Sequence, residues 1–283
     1  MQWRRRSLLL AGLALPLSRA MAQPPARVVA VGGSVTEVIY ALGQGERLIA
    51  VDLSSVYPPE AKALPKVGYY RDLPVEGVAS MQPDLLIASD QSGPPKSLQR
   101  LRELGVPVLM VPDAPTVPAL RERIQRIAEA LSVPQAGRNM VERIESALEA
   151  LPPLPAAAEW PSALSIMAHG ASALAAGRET AADAIMTLSG VRNVMRAQTG
   201  YKTVSAEAAA ALAPELIITT HLSVQAQGGP ERLLGLPALA GTPAARAGRL
   251  IVMDDLMYLA FGPRLDEAVI RLREQCAQLA QTS

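Results

Sequence analysis

Cysteine, histidine and aromatic residues are scarce in this chain of 283 residues. The single cysteine, Cys276, cannot form an internal disulfide, and a tetrathiolate zinc site is excluded. Two histidines, His169 and His221, leave little material for a nucleophile activated by a histidine base. Aromatic residues make up 3% of the chain, so we expect any large apolar pocket to be lined mainly by aliphatic side chains.

The first 22 residues have the pattern of a secretory signal peptide. Arg4, Arg5 and Arg6 precede an apolar run at residues 8–17, and small residues surround Ala22. Because a membrane-spanning helix needs about 20 apolar residues, a membrane anchor is the less favoured alternative. We expect cleavage after Ala22 and a protein that is exported but not membrane-spanning. The consecutive arginines leave the Sec and twin-arginine export routes both open.

The charge balance argues against a nucleic-acid-binding protein. The formal charge is +1, and loss of the four arginines of residues 1–22 would bring it to −3. Nucleic-acid-binding domains are usually strongly basic. No cysteine lies at the predicted cleavage site, so we expect no lipid anchor.

Strand-like aliphatic runs alternate with segments of helical period through the rest of the chain. The runs form two series, at residues 27–31, 48–51, 85–88 and 108–111 and then at residues 163–167, 216–219 and 250–253. Such alternation is typical of an α/β domain with a mostly parallel sheet. The sequence therefore predicts two globular α/β lobes, at residues 23–133 and 154–283.

An amphipathic segment separates the two series. Its apolar residues are spaced to share one helical face: Met140, Val141, Ile144, Leu148 and Leu151. The prolines at residues 152–155 cannot continue a helix. We therefore predict one long, rigid helix within residues 134–153 that joins the lobes and permits only small hinge motion. A helix packed inside one domain is the alternative.

The two lobes contain an internal echo. Glu76 and Glu207 each precede a proline by seven residues, and the prolines, Pro83 and Pro214, are each followed by an acid and an aliphatic run. The matched spacing suggests duplicated architecture. Each segment reads as a short helix with the glutamate near its start, where the helix dipole favours an anion, followed by a turn and a buried strand.

Several motifs resemble the periplasmic substrate-binding proteins of metal-chelate ABC importers, and within them the haemin-binding branch. They lie at residues 27–37, 57–65, 66–73, 176–184 and 261–264. The segments 67–73 and 176–183 are the more specific to haemin binders. The resemblance implies a class III periplasmic binding protein fold with a ligand cleft between the lobes. It also implies a periplasmic protein that captures haem and delivers it to an ABC permease dimer without catalysing a reaction.

The resemblance further implies that Tyr69 is the axial ligand of the haem iron and that Arg71 assists it. Ferric iron favours phenolate oxygen, and tyrosine is a known haem ligand. A guanidinium can stabilise the phenolate or pair with a haem propionate. Tyr69 and Arg71 would face the same side if the segment is extended, and Tyr70 is assigned packing only. The alternative is a surface tyrosine beside a solvated arginine.

Three further residues complete the predicted sites. His169 follows a strand at the edge where open α/β sheets place ligands, so it is a possible second iron ligand, or else an ordinary hydrogen-bonded loop residue. In the family that the motifs resemble, one glutamate on each lobe docks onto permease arginines, which implies this role for Glu76 and Glu207. The alternative is a pair of solvated helix-start acids.

Two rival functions stay open. The same scaffold could bind a ferric siderophore or a corrinoid. An exported enzyme could instead use Glu76 or Glu207 as a general acid or base. That mechanism requires the carboxylates to lie about 5 to 10 Å apart in one cleft, whereas the echo predicts that they lie on separate lobe surfaces.

Overall fold

The computed structural model describes residues 24–169 and 172–281, and the predicted leader at residues 1–22 lies outside the described residues. The strands are β1 (Val28–Val31), β2 (Leu48–Val51), β3 (Leu85–Ser89), β4 (Val108–Val111), β5 (Ser162–His169), β6 (Ser172–Ala176), β7 (Arg192–Asn193), β8 (Tyr201–Thr203), β9 (Leu216–Thr220) and β10 (Leu250–Met253). The α-helices are α1 (Gly33–Ala41), α2 (Pro59–Ala63), α3 (Val75–Ala79), α4 (Pro95–Glu103), α5 (Val117–Ala130), α6 (Pro134–Glu149), α7 (Ala181–Leu188), α8 (Ala206–Leu212), α9 (His221–Gln227), α10 (Pro230–Leu234), α11 (Pro243–Arg246), α12 (Asp255–Leu259) and α13 (Leu265–Gln281).

The first lobe is built on a four-stranded parallel sheet in the order β2-β1-β3-β4. Its central strand, β1, consists of Val-Val-Ala-Val, and all four side chains are buried. A parallel sheet is covered by helices on both faces, so its strands are apolar throughout instead of alternating. The aliphatic runs at residues 27–31, 48–51, 85–88 and 108–111 therefore correspond to the four strands of this lobe.

The second lobe contains a mixed sheet in the order β10-β9-β5-β6-β8, with β7 paired to β5. Its β10, β9 and β5 strands are parallel, whereas β6 and β8 run antiparallel to their neighbours. The predicted parallel strands are present. The antiparallel extension was not predicted, because the Ser-Ala-Leu-Ala-Ala of β6 lacks the β-branched and aromatic residues that mark strands.

The long helix predicted between the lobes is α6, which has 16 residues. It buries Met140, Val141 and Ile144 and packs against α5 of the first lobe and α13 of the second. A continuous cluster of buried apolar side chains joins these three helices. The α/β fold with two lobes and one long connecting helix is therefore confirmed, while the domain boundaries at residues 133 and 154 stay a prediction.

The internal echo has a structural cause at the acid that follows each proline. Asp84 Oδ2 accepts hydrogen bonds from the backbone N–H groups of Ala26 and Arg27, at 3.0 and 2.9 Å. Glu215 Oε2 accepts from the backbone N–H of Ser162 at 2.6 Å and from its hydroxyl at 3.0 Å. In each lobe, the acid before β3 or β9 thus fixes the start of the adjacent parallel strand, β1 or β5.

The lobes meet at residues 261–266, here called the junction segment. Its Arg264 forms an ion pair with Glu37 of α1 and lies 3.2 Å from Asp254 Oδ1. The guanidinium also lies 3.7 Å from the ring centroid of Tyr57, a cation–π contact. Because Glu37 is only 2% exposed, the ion pair is shielded from water and links the two lobes directly.

Two further arginines hold the junction segment. Arg143 of α6 forms an ion pair with Asp266 and donates to the carbonyl of Pro263 at 2.7 Å. The fully buried Arg123 of α5 donates to the carbonyl of Phe261 at 3.3 Å. Residues of the first lobe and of the connecting helix therefore clamp one short segment of the second lobe.

Replacing Glu215 by glutamine should give a pH-dependent loss of stability. The hydrogen bond from the backbone of Ser162 lowers the pKa of Glu215. A carboxyl with a depressed folded-state pKa contributes stability above its unfolded-state pKa, near 4.3, and loses it as the pH falls through the folded-state value. We expect Glu215→Gln to lower the free energy of unfolding by about 1 kcal/mol at pH 7, allowing for solvent screening.

The measurement is urea unfolding of both proteins at pH 7 and again below the pKa of Glu215. The difference should shrink on acidification, and a difference independent of pH would contradict the explanation. Glu231→Gln is the matched control, because Glu231 is an exposed acid of the same lobe in the first turn of α10.

Removing the Arg264 guanidinium should destabilise the protein by about 3 kcal/mol, because the buried Glu37 loses its charged partner. Burial already raises the pKa of Glu37, although Arg264 acts in the opposite direction. We expect Arg264→Leu to show this loss in urea unfolding and the double variant Glu37→Leu/Arg264→Leu to regain part of it. Equal unfolding midpoints for Arg264→Leu and wild type would refute the clamp.

Candidate functional site

A cavity of about 1210 Å³ lies between the two lobes. Small-molecule pockets usually have volumes of about 300 to 1,000 Å³, so this cavity can hold a large ligand. Its walls include residues that follow the carboxyl ends of β1 and β4 in the first lobe and of β10 in the second. This is the edge at which open α/β sheets bind their ligands.

The predicted residues Tyr69 and Arg71 both line the cavity, but they do so from a turn and not from an extended segment. The backbone N–H of Asp72 donates to the carbonyl of Tyr69 at 3.0 Å, which closes a four-residue turn. The N–H of Gly93 donates to the carbonyl of Tyr70 at 2.9 Å and fixes this turn to the lobe. The extended geometry, which would have placed the two side chains on the same side, is not the one adopted, because the chain turns between Tyr69 and Asp72.

Gly68 explains why the turn begins where it does. Its φ is +111°, a backbone conformation that residues other than glycine rarely adopt. A Cβ atom at this position would lie 2.4 Å from Cδ of Pro74. Any other residue would push the backbone outward and shift Tyr69, the next residue along the chain.

Tyr70 and Arg71 form a bonded pair beside Tyr69. Arg71 Nε donates to the Tyr70 hydroxyl at 2.8 Å, and the guanidinium carbon lies 5.1 Å from the Tyr70 ring centroid. Burial raises the pKa of Tyr70 to about 12, with Arg71 opposing the rise. The rings of Tyr69 and Tyr70 meet edge to face with centroids 5.0 Å apart. Tyr70 thus packs, as predicted, and it also positions the Arg71 guanidinium.

Tyr69 differs from its neighbour because its side chain is accessible. It is 44% exposed and lines the cavity, so its phenol oxygen can be reached from the cleft. Arg71 lies in the same turn as Tyr69 and lines the same cavity, so a guanidinium and this phenol face one ligand space. An accessible phenol next to a permanent cation is a site that can bind a hard metal centre as phenolate.

The opposite wall is more aromatic than the composition suggested. Tyr201 of β8 and Phe261 of the junction segment line the cavity together with Tyr69 and Tyr70. Burial raises the pKa of Tyr201 to about 12. Tyr201 shares the cavity with Tyr70 and Arg71 of the first lobe. Aliphatic side chains fill much of the remaining wall, as expected: Val117, Met167, Leu188, Leu256 and Leu259.

A carboxylate of the first lobe that lines the cavity already has hydrogen-bond and ion-pair partners within that lobe. Asp113 accepts hydrogen bonds from the hydroxyls of Ser34 and Ser89, at 2.8 and 3.0 Å, and lies 3.2 Å from the buried guanidinium of Arg123. Its charge is therefore compensated from within the lobe. Asp113 stiffens the ends of the strands and is not free to act on a ligand.

His169 is the last residue of β5, and its side chain lies outside the part of the structure that is described. Met167, two residues earlier, lines the cavity, so the strand ends at the cleft as predicted. Whether His169 binds the ligand stays a prediction.

Glu76 and Glu207 are exposed acids in the first turns of α3 and α8, one on each lobe. The backbone N–H of Glu207 and the hydroxyl of Ser205 lower the pKa of Glu207. Neither glutamate lines the interlobe cavity. The two carboxylates therefore have matched positions in the duplicated architecture and do not face each other across the cleft. Among the described helices, none is both long and apolar enough to cross a membrane.

Residues 28–256 match the family model for periplasmic binding proteins, and the chain belongs to this family. Its fold is similar to that of the periplasmic heme-binding protein BhuT in complex with two hemes, with 37% identity, 89% of this chain and 98% of that chain covered, and a TM-score of 0.81. The periplasmic heme-binding protein RhuT from Roseiflexus sp. RS-1 is also similar, at 34% identity, 88% and 98% coverage, and a TM-score of 0.79.

Curated relatives extend the comparison to other ligands. An ABC transporter substrate-binding lipoprotein of Bacillus subtilis, YvrC, is 28% identical over 88% of this chain and 79% of its own length. A vitamin B12-binding protein of Vibrio parahaemolyticus is 35% identical over 49% of this chain. That alignment spans 52% of the vitamin B12-binding protein, about half of its length. The family is thus one of substrate-binding proteins for import, with several ligands on one scaffold.

Proposed function

We propose that this protein captures haem in the periplasm, holds it in the interlobe cleft and delivers it to an ABC permease dimer, without covalent chemistry of its own. The observation that carries the proposal is the accessible side chain of Tyr69, which lines the cavity at the first position of a turn that also carries Arg71. The similarity to BhuT and RhuT supports it. The predicted leader at residues 1–22 supports export to the periplasm.

The chemistry of the site suits ferric haem. Fe(III) is a hard Lewis acid, and a tyrosine oxygen is an established axial ligand type. The guanidinium of Arg71 places a permanent positive charge in the same part of the cavity as this oxygen. The aromatic and aliphatic walls from Tyr201, Phe261, Leu256 and Leu259 can cover the apolar faces of a porphyrin. His169 is proposed as a possible second iron ligand.

A corrinoid or a ferric siderophore is the rival ligand, and the vitamin B12-binding relatives favour the corrinoid over the siderophore. A siderophore surrounds its iron with its own oxygen atoms and would leave the Tyr69 phenol without a partner. An enzyme that uses Glu76 and Glu207 as a catalytic pair is not supported, because these acids do not share the cavity.

Replacing Tyr69 by phenylalanine should remove the iron ligand while keeping the ring. We expect wild type to bind ferric haem saturably with high-spin tyrosinate-type absorption bands, and Tyr69→Phe to lose those bands and bind at least about 10-fold more weakly. The measurement is an absorption titration of the purified mature protein. Cyanocobalamin titrated in parallel tests the corrinoid.

Tyr40→Phe is the matched control, because Tyr40 belongs to α1 and does not line the cavity. It should bind haem as wild type does. Saturable haem binding with unchanged bands in Tyr69→Phe would show that another residue ligates the iron. No saturable haem binding by wild type would discard the haem proposal, and cyanocobalamin binding would then favour the corrinoid.

We also propose that Glu76 and Glu207 dock onto cationic residues of the two permease subunits. Their matched positions in the two lobes suit a partner with two equivalent subunits. The double variant Glu76→Gln/Glu207→Gln should lower haem-dependent ATP hydrolysis by the permease in vesicles about 10-fold, while haem binding in solution stays unchanged. The loss arises because each docking contact would lose its charge.

The matched control is Glu60→Gln/Glu231→Gln, which removes one exposed first-turn glutamate from a short helix of each lobe. It changes the net charge equally. If both double variants reduce ATP hydrolysis to the same extent, the effect is one of overall charge and the docking role fails.

A further inference from the structure

We infer that Arg196 of the second lobe binds a carboxylate group of the ligand. The inference rests on the proposed function, because haem carries two propionate carboxylates on its rim and the inference assigns one of them a partner. Arg196 lines the interlobe cavity and its side chain is 57% exposed. It therefore combines access to the ligand with a permanent positive charge.

Among the described residues, the guanidinium N–H groups of Arg196 have no hydrogen-bond acceptor. Its ion-pair partner, Asp183 Oδ2, lies 3.9 Å from Nε, beyond the usual N–H to oxygen hydrogen-bond range of about 2.7 to 3.2 Å. Within residues 24–169 and 172–281, the Arg196 side chain donates no hydrogen bond. A guanidinium has five N–H donors in a planar fork that matches a carboxylate, so the group is suited to a ligand carboxylate.

Asp183 does not depend on Arg196. It is 6% exposed, and its Oδ1 accepts a hydrogen bond from Nδ2 of Asn193 at 2.8 Å. It also lies in the first turn of α7, where the helix dipole stabilises an anion. Arg196 can therefore turn toward a ligand without leaving a buried carboxylate unsupported.

The other arginine of the cavity wall is already engaged. Arg71 uses its Nε for the Tyr70 hydroxyl and lies against the Tyr70 ring. Of the two roles open to Arg71, support of the phenol pair fits these contacts better than capture of a propionate. The two arginines of the cavity thus have different roles. Arg71 supports the tyrosine pair that includes the proposed iron ligand, and Arg196 pairs with a carboxylate of the bound molecule.

Two neighbouring acids restrict where on this wall a ligand carboxylate can bind. Glu179 and Asp183 line the same wall of the cavity, and both would repel a carboxylate placed there without a cation. A ligand carboxylate on this wall is therefore favourable only beside Arg196. This arrangement fixes the orientation of a ligand whose carboxylates all lie on one edge.

The test compares Arg196→Gln with ferric haem and with its dimethyl ester, in which both carboxylates are neutral. Arg196→Gln should weaken haem binding about 10-fold, the scale of one charge-assisted hydrogen bond, and should leave binding of the ester unchanged. Arg196→Lys should bind haem with intermediate affinity, because it keeps the charge without the fork. The tyrosinate-type bands should persist in both variants.

Arg232→Gln is the matched control, because Arg232 is an exposed arginine of the same lobe, in α10, and does not line the cavity. Haem affinity of Arg196→Gln equal to that of Arg232→Gln would overturn the inference while the proposed function stands. Equal weakening for haem and for the ester would also overturn it, because the carboxylate would then be irrelevant. No binding of either ligand by wild type would instead overturn the proposed function and the inference with it.

Discussion

The cleft depends on ion pairs that hold the two lobes at a fixed spacing. The junction segment at residues 261–266 carries Arg264 to Glu37 and Asp266 to Arg143, so it is tied to the first lobe and to the connecting helix at once. The apolar core that runs through α5, α6 and α13 supplies the burial but has no directional preference. A buried ion pair adds little net stability over apolar residues of similar volume, but loss of one partner leaves an uncompensated buried charge. The junction therefore favours the arrangement of the lobes in which Arg264 and Asp266 keep their partners.

A fixed junction has consequences for the site. Phe261 belongs to the junction segment and also lines the cavity, so one short segment both positions the lobes and forms part of the ligand wall. The turn with Tyr69 and Tyr70 then lines the same cavity as Tyr201 of the opposite lobe. A ligand entering a cavity that is already formed loses little free energy to ordering of the protein. More of the free energy of the ligand contacts therefore contributes to affinity.

The sequence predicted the features that depend on local pattern. Buried parallel strands appear as aliphatic runs, and α6 appears as an apolar stripe closed by prolines, so both were found within a few residues. Tyr69 was assigned to the ligand site through its motif, and it lines the cavity, while its role as iron ligand stays a prediction. The turn at Tyr69, the hydrogen bond from Arg71 to Tyr70 and the exposure of Arg196 were not predicted. The first two are contacts between residues close in sequence, but the sequence pattern did not distinguish them from an extended segment. The exposure of Arg196 depends on how distant residues pack around it. The echoed acids Asp84 and Glu215 were noticed, but their bonds to β1 and β5 could be seen only once the strands were adjacent.

Composition predicted the aliphatic part of the cavity wall but not its aromatic residues, for a related reason. An aromatic content of 3% describes the whole chain, whereas a ligand site samples a small part of it, and the only phenylalanine and three tyrosines of this chain line one cavity. The chemistry of that cavity is also asymmetric, with the accessible phenol on the first lobe and the uncommitted guanidinium on the second. A rigid ligand that carries both a hard metal centre and a carboxylate can contact both lobes at once. A ligand that lacks one of these groups would lose the corresponding polar contact, so the separation of the two groups across the junction is a basis for selectivity.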